Sequence, residues 1–310
     1  MAPLLLLGSE ETMTDWRTQL DEKKVLIVDG AWGTELINRG ITPREVPEAW
    51  NIDRPEEIYF VALAYVNSGA DIILTNTFGG SPLKLAKVGL REKTVDINRL
   101  GTEISKKAAS SRALVFGSIG PTGELLKPLG AASETELLKG FAEQAKALAA
   151  GGADGIVIET MMDLTEAKAA LRAVKENTSL SVAVTMTFNE AGGKYATLMG
   201  VRPDHAAVEL ERAGADIVGA NCGAGIDLMI EVARVMRRAT SLPVWCKPNA
   251  GLPELVDGKT IYRESPEKMA SRFGELVEAG ASMIGGCCGS TPAHIRALVL
   301  ERNKLVTPKP

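Results

Sequence analysis

The sequence predicts a single α/β domain folded as a parallel (β/α)8 TIM barrel. Three observations lead to this prediction. Short apolar segments alternate with helical stretches along the chain, a glycine-containing motif recurs before several of these segments, and polar residues follow them. Such alternation is typical of a parallel sheet whose strands are joined by helices. The 310 residues, of which 45% are hydrophobic, are sufficient for one large domain.

The predicted strands are short, rich in aliphatic or β-branched residues and bounded by turn residues. They span residues 25–28, 72–75, 113–116, 156–158, 181–187, 217–218, 242–246 and 281–284. Apolar residues at helical spacing predict helices after each of them, at 55–68, 94–110, 133–150, 163–176, 203–213, 226–239, 266–279 and 292–303. Parallel neighbours require crossover connections of this kind, so eight such pairs predict the barrel.

A recurring motif marks four of the predicted strands. In its first copy, at residues 68–75, a helix-ending glycine is followed by a short turn and an apolar strand. The motif returns with its glycine at positions 152, 214 and 280, so the copies are separated by 83, 62 and 66 residues. Each separation is about the length of two strand–helix units, as expected for a barrel built by repetition.

A doubly wound open sheet is the alternative architecture, because periodicity in a sequence does not show whether a parallel sheet closes. Residues 1–20 are expected to form a loose leader, and residues 21–310 are assigned to the barrel. The apolar run at residues 4–7 is too short to span a bilayer and lacks the basic flank of a signal peptide.

Composition and charge narrow the classes of function. The net charge of −4 gives no basic surface for nucleic acid or an anionic membrane, and a small-molecule substrate is expected instead. Four cysteines, two of them adjacent, do not form the pattern of a disulfide framework. Thiols that stay free for metal binding or catalysis favour a cytoplasmic location. The oligomeric state is not predicted.

Polar or reactive residues follow the predicted strands with a regularity that packing does not require. In a parallel barrel all strands end at one mouth, which is where enzymes of this fold place their chemistry. The strand-end residues are, in chain order, Asp29 and Gly30, Thr75 to Thr77, residues 120–123, Glu159 and Thr160, Thr185 and Thr187, Asn221 and Cys222, residues 248–251, and Cys287 and Cys288.

The cysteines point to a metal site. Cys287 and Cys288 lie between glycines after the last strand, just before a helix predicted to begin at Pro292, and Cys222 ends another strand. Three converging thiols match a zinc site with one open position, and the helix N-terminus or a bound metal is expected to lower their pKa values. Cys246 is instead predicted to be a core residue.

At these residues the chain resembles the homocysteine S-methyltransferase family, and within it the zinc-bearing first module of cobalamin-dependent methionine synthase. The matching segments cover roughly residues 24 to 303 in the family's order, and the double-cysteine segment is the most specific of them. They are DGAWGTE at 29–35, LTNTFG at 74–79, IGPTGE at 119–124, IET at 158–160, NC at 221–222, PNAG at 248–251 and GGCCG at 285–289.

The resemblance implies that the barrel of residues 21–310 is a homocysteine-binding-like domain. Its three cysteines are expected to hold zinc, and zinc is expected to bind the thiol of homocysteine. No catalytic residue is predicted beyond this zinc site. The resemblance also implies an amino acid pocket near the mouth. The predicted substrate-binding residues are Asp29, Gly30, Asn76, Glu159 and Asn249. Each has a simpler explanation, namely a turn aspartate or glycine, a strand-end ion pair, or an amide that fixes a loop.

Two loops depart from the family pattern, at residues 195–200 and 223–226, and they leave the substrate open. Three cysteinate ligands favour alkyl transfer to a bound thiolate over hydrolysis, so homocysteine methylation is the predicted reaction. The sequence contains no corrinoid-binding Asp-x-His-x-x-Gly segment, so a corrinoid (cobalamin) donor is expected on a separate protein.

Three alternatives remain for the function. The chain could be the substrate-side methyltransferase of a multi-component demethylase, for example one acting on methyl ethers. It could be a corrinoid-independent homocysteine methyltransferase that uses a sulfonium compound or betaine. A zinc-bearing scaffold that only docks partners is the non-enzymatic alternative.

Overall fold

Eight parallel strands form the centre of the computed structural model, which describes residues 14–127, 129–223, 225–256 and 259–306. They are β1 (Leu26–Ile27), β2 (Ile72–Leu74), β3 (Leu114–Ile119), β4 (Gly155–Met161), β5 (Ser181–Met186), β6 (Ile217–Cys222), β7 (Val244–Pro248) and β8 (Ala281–Ile284). Their order in the sheet is β1-β8-β7-β6-β5-β4-β3-β2, so each strand lies beside its neighbour in the sequence.

The sheet closes between β1 and β2. Val28, directly after β1, forms a parallel bridge with Ile72 of β2. The amide of Asp29 donates to the carbonyl of Ile72 at 3.0 Å, and the amide of Asp71 donates to the carbonyl of Ile27 at 2.7 Å. The predicted (β/α)8 barrel is therefore confirmed, and the open doubly wound sheet is wrong.

A helix or pair of helices follows every strand, close to the predicted bounds. The helices are Pro55–Asn67, Thr94–Ala109, Glu134–Ala150, Leu164–Asn177, Pro203–Arg212, Ile226–Ala239, the pair Pro266–Ser271 and Phe273–Glu278, and Pro292–Val306. Residues with capping side chains start several of them. Ser133 forms a capping box with Glu136, and Asp163 accepts from the amide of Thr165, which satisfies amides that lack a helical partner.

The glycines of the recurring motif all adopt the left-handed conformation. Gly69, Gly152, Gly214 and Gly280 have φ angles of 89°, 88°, 94° and 105°. A residue with a Cβ atom would be strained at such a φ angle, whereas glycine is not. The motif therefore marks, as predicted, the point where a helix ends and the chain turns into the next strand.

Side chains from the strands build two apolar layers, as expected for a parallel sheet with both faces buried. One layer fills the barrel interior, where the rings of Phe116 and Trp245 lie 5.8 Å apart. The other layer lies between the strands and the helices and includes Val115 and Cys246. Cys246 is fully buried, so its predicted core role is confirmed. Alternate residues of each strand enter alternate layers.

Three copies of the motif carry an aspartate that joins adjacent strands at the amino-terminal end of the barrel. Asp71, Asp154 and Asp216 accept hydrogen bonds from the amide of the second residue of a neighbouring strand, at 2.7, 2.8 and 2.8 Å. Each also forms a salt bridge with a lysine, respectively Lys23, Lys106 and Lys175. The repeated sequence thus produces a repeated electrostatic connection.

The predicted domain boundary at residue 21 is wrong, because it falls inside the helix Trp16–Lys23. Trp16 is 5% exposed and packs against the inner apolar layer. A large apolar ring that covers the amino-terminal end of the barrel belongs to the domain. Residues 1–13 of the expected leader lie outside the described residues.

Some short elements are absent from the sequence-based prediction. Two antiparallel hairpins follow β5 and β7, formed by Asn189–Ala191 with Lys194–Ala196 and by Glu254–Val256 with Lys259–Ile261. Short helices are found at Trp32–Asn38, Pro47–Ala49, Trp50–Asp53, Pro82–Ala86 and Arg91–Lys93. Among the helices of the described ranges, none has the length and apolar character needed to cross a bilayer.

Candidate active site at the carboxyl ends of the strands

The three predicted metal ligands meet at the mouth of the barrel. Cys222 is the last residue of β6, and Cys287 and Cys288 follow β8. Their sulfur atoms all lie within 4.8 Å of one another, and each cysteine is half-buried. Within the described ranges, this is the single group of three or more Cys, His, Asp or Glu side chains placed to share a metal ion. Sulfur donors at this spacing could hold zinc.

Backbone hydrogen bonds hold the two cysteine segments in place. The amide of Cys287 donates to the carbonyl of Pro248 at 2.7 Å, and the carbonyl of Cys288 accepts from the amide of Ala250 at 2.9 Å. Cys222 has a φ angle of 63°, in the left-handed region. This conformation costs about 1–3 kcal/mol in a residue other than glycine. The fold therefore maintains local strain at a thiol, which is typical of functional sites.

Asn221 connects three strand ends beneath the thiols. Its side-chain oxygen accepts from the amide of Thr160 at 2.8 Å and from the hydroxyl of Thr185 at 2.6 Å. Its amide nitrogen donates to the Thr160 hydroxyl at 2.7 Å and to the sulfur of Cys287 at 3.7 Å. Asn221 thus fixes the ends of β4, β5 and β6 and also contacts a thiol.

The thiols of the chain by itself are protonated near neutral pH. A hydrogen bond with Cys222, together with burial, raises the pKa of Cys287 to about 12. The pKa of Cys288 is also raised to about 12, because its neighbour Cys287 and burial outweigh the hydrogen bond from Cys222 that lowers it. These pKa values apply to the chain without a bound cation, and the predicted lowering by the helix N-terminus and a bound metal stays a prediction. Thiolates here require a cation, which fits a metal site.

Beneath the thiols lies a buried ion pair that the sequence analysis did not include. Lys247 of β7 donates to a carboxylate oxygen of Asp29 at 2.7 Å, and their side chains are 3% and 0% exposed. The other oxygen of Asp29 accepts from the indole of Trp32 at 2.9 Å and from the amide of Leu74 at 2.8 Å. The alternation of β7 offered a signal, because a lysine two residues after the inward-facing Trp245 must also face inward.

Glu159 of β4 reaches the same layer from the opposite side. One carboxylate oxygen accepts from the Ser118 hydroxyl at 2.5 Å, and the residue is 9% exposed. Burial raises the pKa of Glu159, and the positive charge of Lys247 opposes that shift. Glu159 therefore combines a carboxyl group in a poorly solvated position with a nearby cation.

The remaining predicted pocket residues are placed differently from one another. The amide nitrogen of Asn76 donates to the carbonyl of Pro47 at 2.7 Å and to Asn51 at 3.0 Å, so this group fixes a loop. A Cβ atom at Gly30 would lie 2.8 Å from the Tyr65 ring, which excludes any larger residue there without rearrangement. Substrate contact by Asn76 and Gly30 stays a prediction.

Asn249 has an acceptor left for a ligand. Its amide nitrogen donates to the carbonyl of Gly223 at 2.6 Å. Its side-chain oxygen is buried and has no hydrogen-bond partner among the described residues. Because buried polar atoms are nearly always satisfied, this oxygen marks a place where a bound molecule would donate.

A second residue absent from the sequence analysis is Tyr262, which follows the hairpin after β7. Its ring lies beside the double-cysteine segment, since a Cβ atom at Gly289 would approach the ring to 2.3 Å. Burial and the adjacent thiols raise the pKa of the phenol. No sequence pattern pointed to it, because a single aromatic residue in a loop carries no periodic signal.

An open cleft of about 830 Å³ lies between the loops that follow β5, β6 and β7. Its lining includes Tyr195, Gly225, Gly251 and Glu264. Tyr195 and Gly225 belong to the two loops that depart from the family pattern, and Gly225 lies three positions after Cys222. Both departing loops therefore contribute to the lining of this cleft.

Comparison with solved structures supports the fold. The structure superposes on the homocysteine methyltransferase MmuM from Escherichia coli, metallated form, with a TM-score of 0.76 and 24% identity, over 91% of this chain and 98% of that one. It also superposes on the carboxyl transferase domain of Rhizobium etli pyruvate carboxylase with pyruvate, with a TM-score of 0.51 and 16% identity, over 98% of this chain and 53% of that one. At these identities the similarity concerns the barrel alone.

Sequence comparison identifies relatives and a family. Methionine synthases of Mycobacterium leprae and Mycobacterium tuberculosis are 32% and 33% identical to this chain over 292 residues. The match covers 88% of this chain and 24% of each relative, so the chain spans about a quarter of their length. The homocysteine S-methyltransferase family matches residues 26–301. The chain therefore belongs to the homocysteine S-methyltransferase family.

Proposed function

We propose that this chain is a zinc-dependent methyltransferase that methylates the sulfur of homocysteine, forming methionine. The observation that carries the proposal is the cluster of three thiols, within 4.8 Å of one another, at the mouth of the barrel. Membership of the homocysteine S-methyltransferase family supports the reaction type.

Cys222, Cys287 and Cys288 would hold the metal and leave one coordination position for the thiol of the substrate. Bound there, zinc supplies the positive charge that keeps a coordinated thiol in its thiolate form near neutral pH. The residues fit this role, because three sulfur atoms within 4.8 Å of one another are donors that zinc prefers.

The protein's own side chains would orient the substrate. Glu159 offers a carboxylate for the substrate ammonium group, and Asn249 offers a buried oxygen without a partner. Asn221 keeps Cys287 in position through its contact at 3.7 Å. A bond from sulfur to the methyl carbon forms as the bond from that carbon to the donor breaks, so the donor must approach in line through the open mouth.

The methyl donor in this proposal is a corrinoid carried outside the barrel, on a separate protein. The resemblance of the sequence to the zinc-bearing module of cobalamin-dependent methionine synthase supports a donor of this class over a sulfonium compound or betaine. A cytoplasmic location, where thiols stay reduced, remains a prediction.

A second candidate is the substrate-side methyltransferase of a multi-component demethylase. The observation that favours it is the open cleft between the loops after β5, β6 and β7, whose lining includes Tyr195 and Gly225 from the two departing loops. In that reaction a methylated substrate, such as a methyl ether, would lose its methyl group to the corrinoid.

A methyl-transfer assay with the zinc-loaded protein tests the proposal. Homocysteine is mixed with free or protein-bound methylcobalamin, with betaine, or with a sulfonium compound, and methionine is quantified. Methionine formation from methylcobalamin is expected. Methionine formed from betaine or the sulfonium compound alone would contradict the corrinoid donor. Methylcobalamin formed from a methyl ether and cob(I)alamin, with homocysteine inert, would instead establish the demethylase.

A further inference from the structure

The acceptor atoms of Asp29 are already occupied within the protein. One oxygen accepts from Lys247 at 2.7 Å, and the other accepts from Trp32 and from the amide of Leu74 at 2.9 and 2.8 Å. The side chain is 0% exposed. A substrate ammonium group could reach Asp29 only by displacing a buried partner, so the expectation of two carboxylates around that group does not fit this arrangement.

The partner of Asp29 is a lysine, which carries an ammonium group like that of the proposed substrate. Lys247 carries a primary ammonium, as does the α-carbon of an amino acid near neutral pH. It is 3% exposed and is held by the backbone of β7 on the floor of the mouth. The protein thus supplies an internal ammonium ion at the carboxylate that would otherwise be available to a ligand.

Glu159 is placed differently. Among the described residues, only Ser118 donates a hydrogen bond to it, and this bond occupies one of its two oxygens. The second oxygen is not among the buried polar atoms that lack a partner, so it is accessible from the mouth. Asp29 and Lys247 pair with each other, which leaves Glu159 as the carboxyl group that a substrate ammonium group could reach.

We propose that Lys247 is a specificity-determining residue that occupies Asp29, so that Glu159 alone binds the amino group of an aminothiol substrate. This inference rests on the proposed function and assigns the roles of its pocket residues. Asp29 is then a positioning residue for Lys247. The preference for a thiol that carries an amino group over one that lacks it depends on the carboxylate of Glu159.

The test compares two thiols that differ only in the amino group, homocysteine and 4-mercaptobutanoic acid. Their dissociation constants for the zinc-loaded protein are measured by calorimetry, after zinc content and thermal unfolding have been checked for each variant. A charge-assisted hydrogen bond predicts that the wild-type protein prefers homocysteine by about 10- to 100-fold. Glu159→Gln should reduce this preference to about onefold, the value expected once the bond is lost.

Variants of the ion pair separate this proposal from a two-carboxylate pocket. Asp29→Asn should keep the wild-type preference, and a loss as large as that of Glu159→Gln would overturn the proposal. The double variant Asp29→Asn/Lys247→Met removes both buried charges together, which keeps the comparison possible if the single variant does not fold. It should also retain the preference. Lys247→Met should increase the preference, because it frees a second carboxylate; an unchanged preference in the folded variant would overturn the role of Lys247.

Binding of the two thiols by the wild-type protein tests the proposed function and the role of Lys247 separately. If the zinc-loaded wild-type protein binds neither thiol, the proposed function fails and this inference fails with it. If the protein binds both thiols equally well, homocysteine methylation stands and the inference alone is overturned.

Discussion

The carboxylates at the two ends of the barrel differ in how completely their oxygens are hydrogen-bonded within the protein. At the amino-terminal end, Asp71, Asp154 and Asp216 each bind a strand amide and a lysine. At the carboxyl end, Asp29 has the same kind of environment, with a strand amide and a lysine, but Glu159 keeps an accessible oxygen. The carboxylates of the first end thus stabilise the barrel, whereas the second end leaves one carboxylate available for the proposed substrate.

Left-handed backbone conformations occur at both ends of the barrel. At the amino-terminal end, the turns of the recurring motif use glycine at positive φ angles, as at Gly69, but Lys24, Ser110 and Ser111 also have positive φ angles. At the carboxyl end, Thr160 and Cys222 have φ angles of 64° and 63°. Each residue other than glycine costs about 1–3 kcal/mol in this conformation, and the bonds of Asn221 hold Thr160 in it. The carboxyl end differs in that one of its strained residues carries a thiol.

The largest effect is expected from Cys288→Ala, at the carboxyl end. The variant should lose nearly all bound zinc and at least about 100-fold in activity, equivalent to about 2.7 kcal/mol of transition-state stabilisation. Cys246→Ala is the matched control, because Cys246 lies in the outer apolar layer and should leave zinc content unchanged. Metal analysis of both purified variants is the measurement. Full zinc content in Cys288→Ala would remove this residue from the metal site.

A substitution at the opposite end should change stability alone. Asp71→Asn leaves Arg302, whose side chain is 9% exposed, without its carboxylate partner. Breaking a buried pair of this kind should lower the free energy of unfolding by about 3 kcal/mol while kcat and KM stay unchanged. Urea unfolding and steady-state kinetics are the measurements.

Asp154→Asn provides the comparison for this effect, because its partner Lys106 is 38% exposed. An exposed pair contributes little, so a loss of about 1 kcal/mol or less is expected. Equal losses in the two variants would contradict the effect of burial on these ion pairs. Altered kinetics in Asp71→Asn would show that the two ends are not functionally separate.

Glu159→Gln should change the kinetics and leave stability unchanged, which is the reverse of Asp71→Asn. Loss of a charge-assisted hydrogen bond should raise KM for homocysteine by about 30-fold, or about 2 kcal/mol. Unfolding should stay close to that of the wild-type protein, because burial already raises the pKa of this carboxyl and disfavours its charged form. Glu176→Gln on the outer surface, where the side chain is 56% exposed, is the control. A destabilised variant with normal KM would assign Glu159 to the scaffold.

The smallest effect concerns His294, which connects the last helix to the rim. Its ring bonds to Thr291 and to the carbonyl of Glu264, and burial lowers its pKa below 6.5. The unfolded chain therefore takes up a proton at higher pH than the folded protein, so stability falls as pH decreases below about 6.5. His294→Gln should show a smaller loss of stability between about pH 7.5 and about pH 5.5. An identical loss would exclude this contribution.

Local patterns in the sequence determined most of the fold. Helical periodicity located the major helices, and the recurring motif located the turns, because a left-handed residue before a strand favours glycine whatever surrounds it. The sequence also determined which residues are near the mouth, since all parallel strands of a barrel end on the same side. Cys222, 65 positions from Cys287, could be grouped with it on that basis, and the structure brings their sulfur atoms within 4.8 Å.

Only the tertiary structure decided how these groups are paired. Asp29 and Lys247 are 218 positions apart, and no local pattern shows that they form a hydrogen-bonded ion pair. The same holds for Trp16, which looked like part of a leader and is buried against the barrel interior. Local propensities act over a few residues, whereas hydrogen-bond occupancy and burial depend on the distances between strands. Which carboxylate stays available to a substrate is therefore determined by the closed barrel.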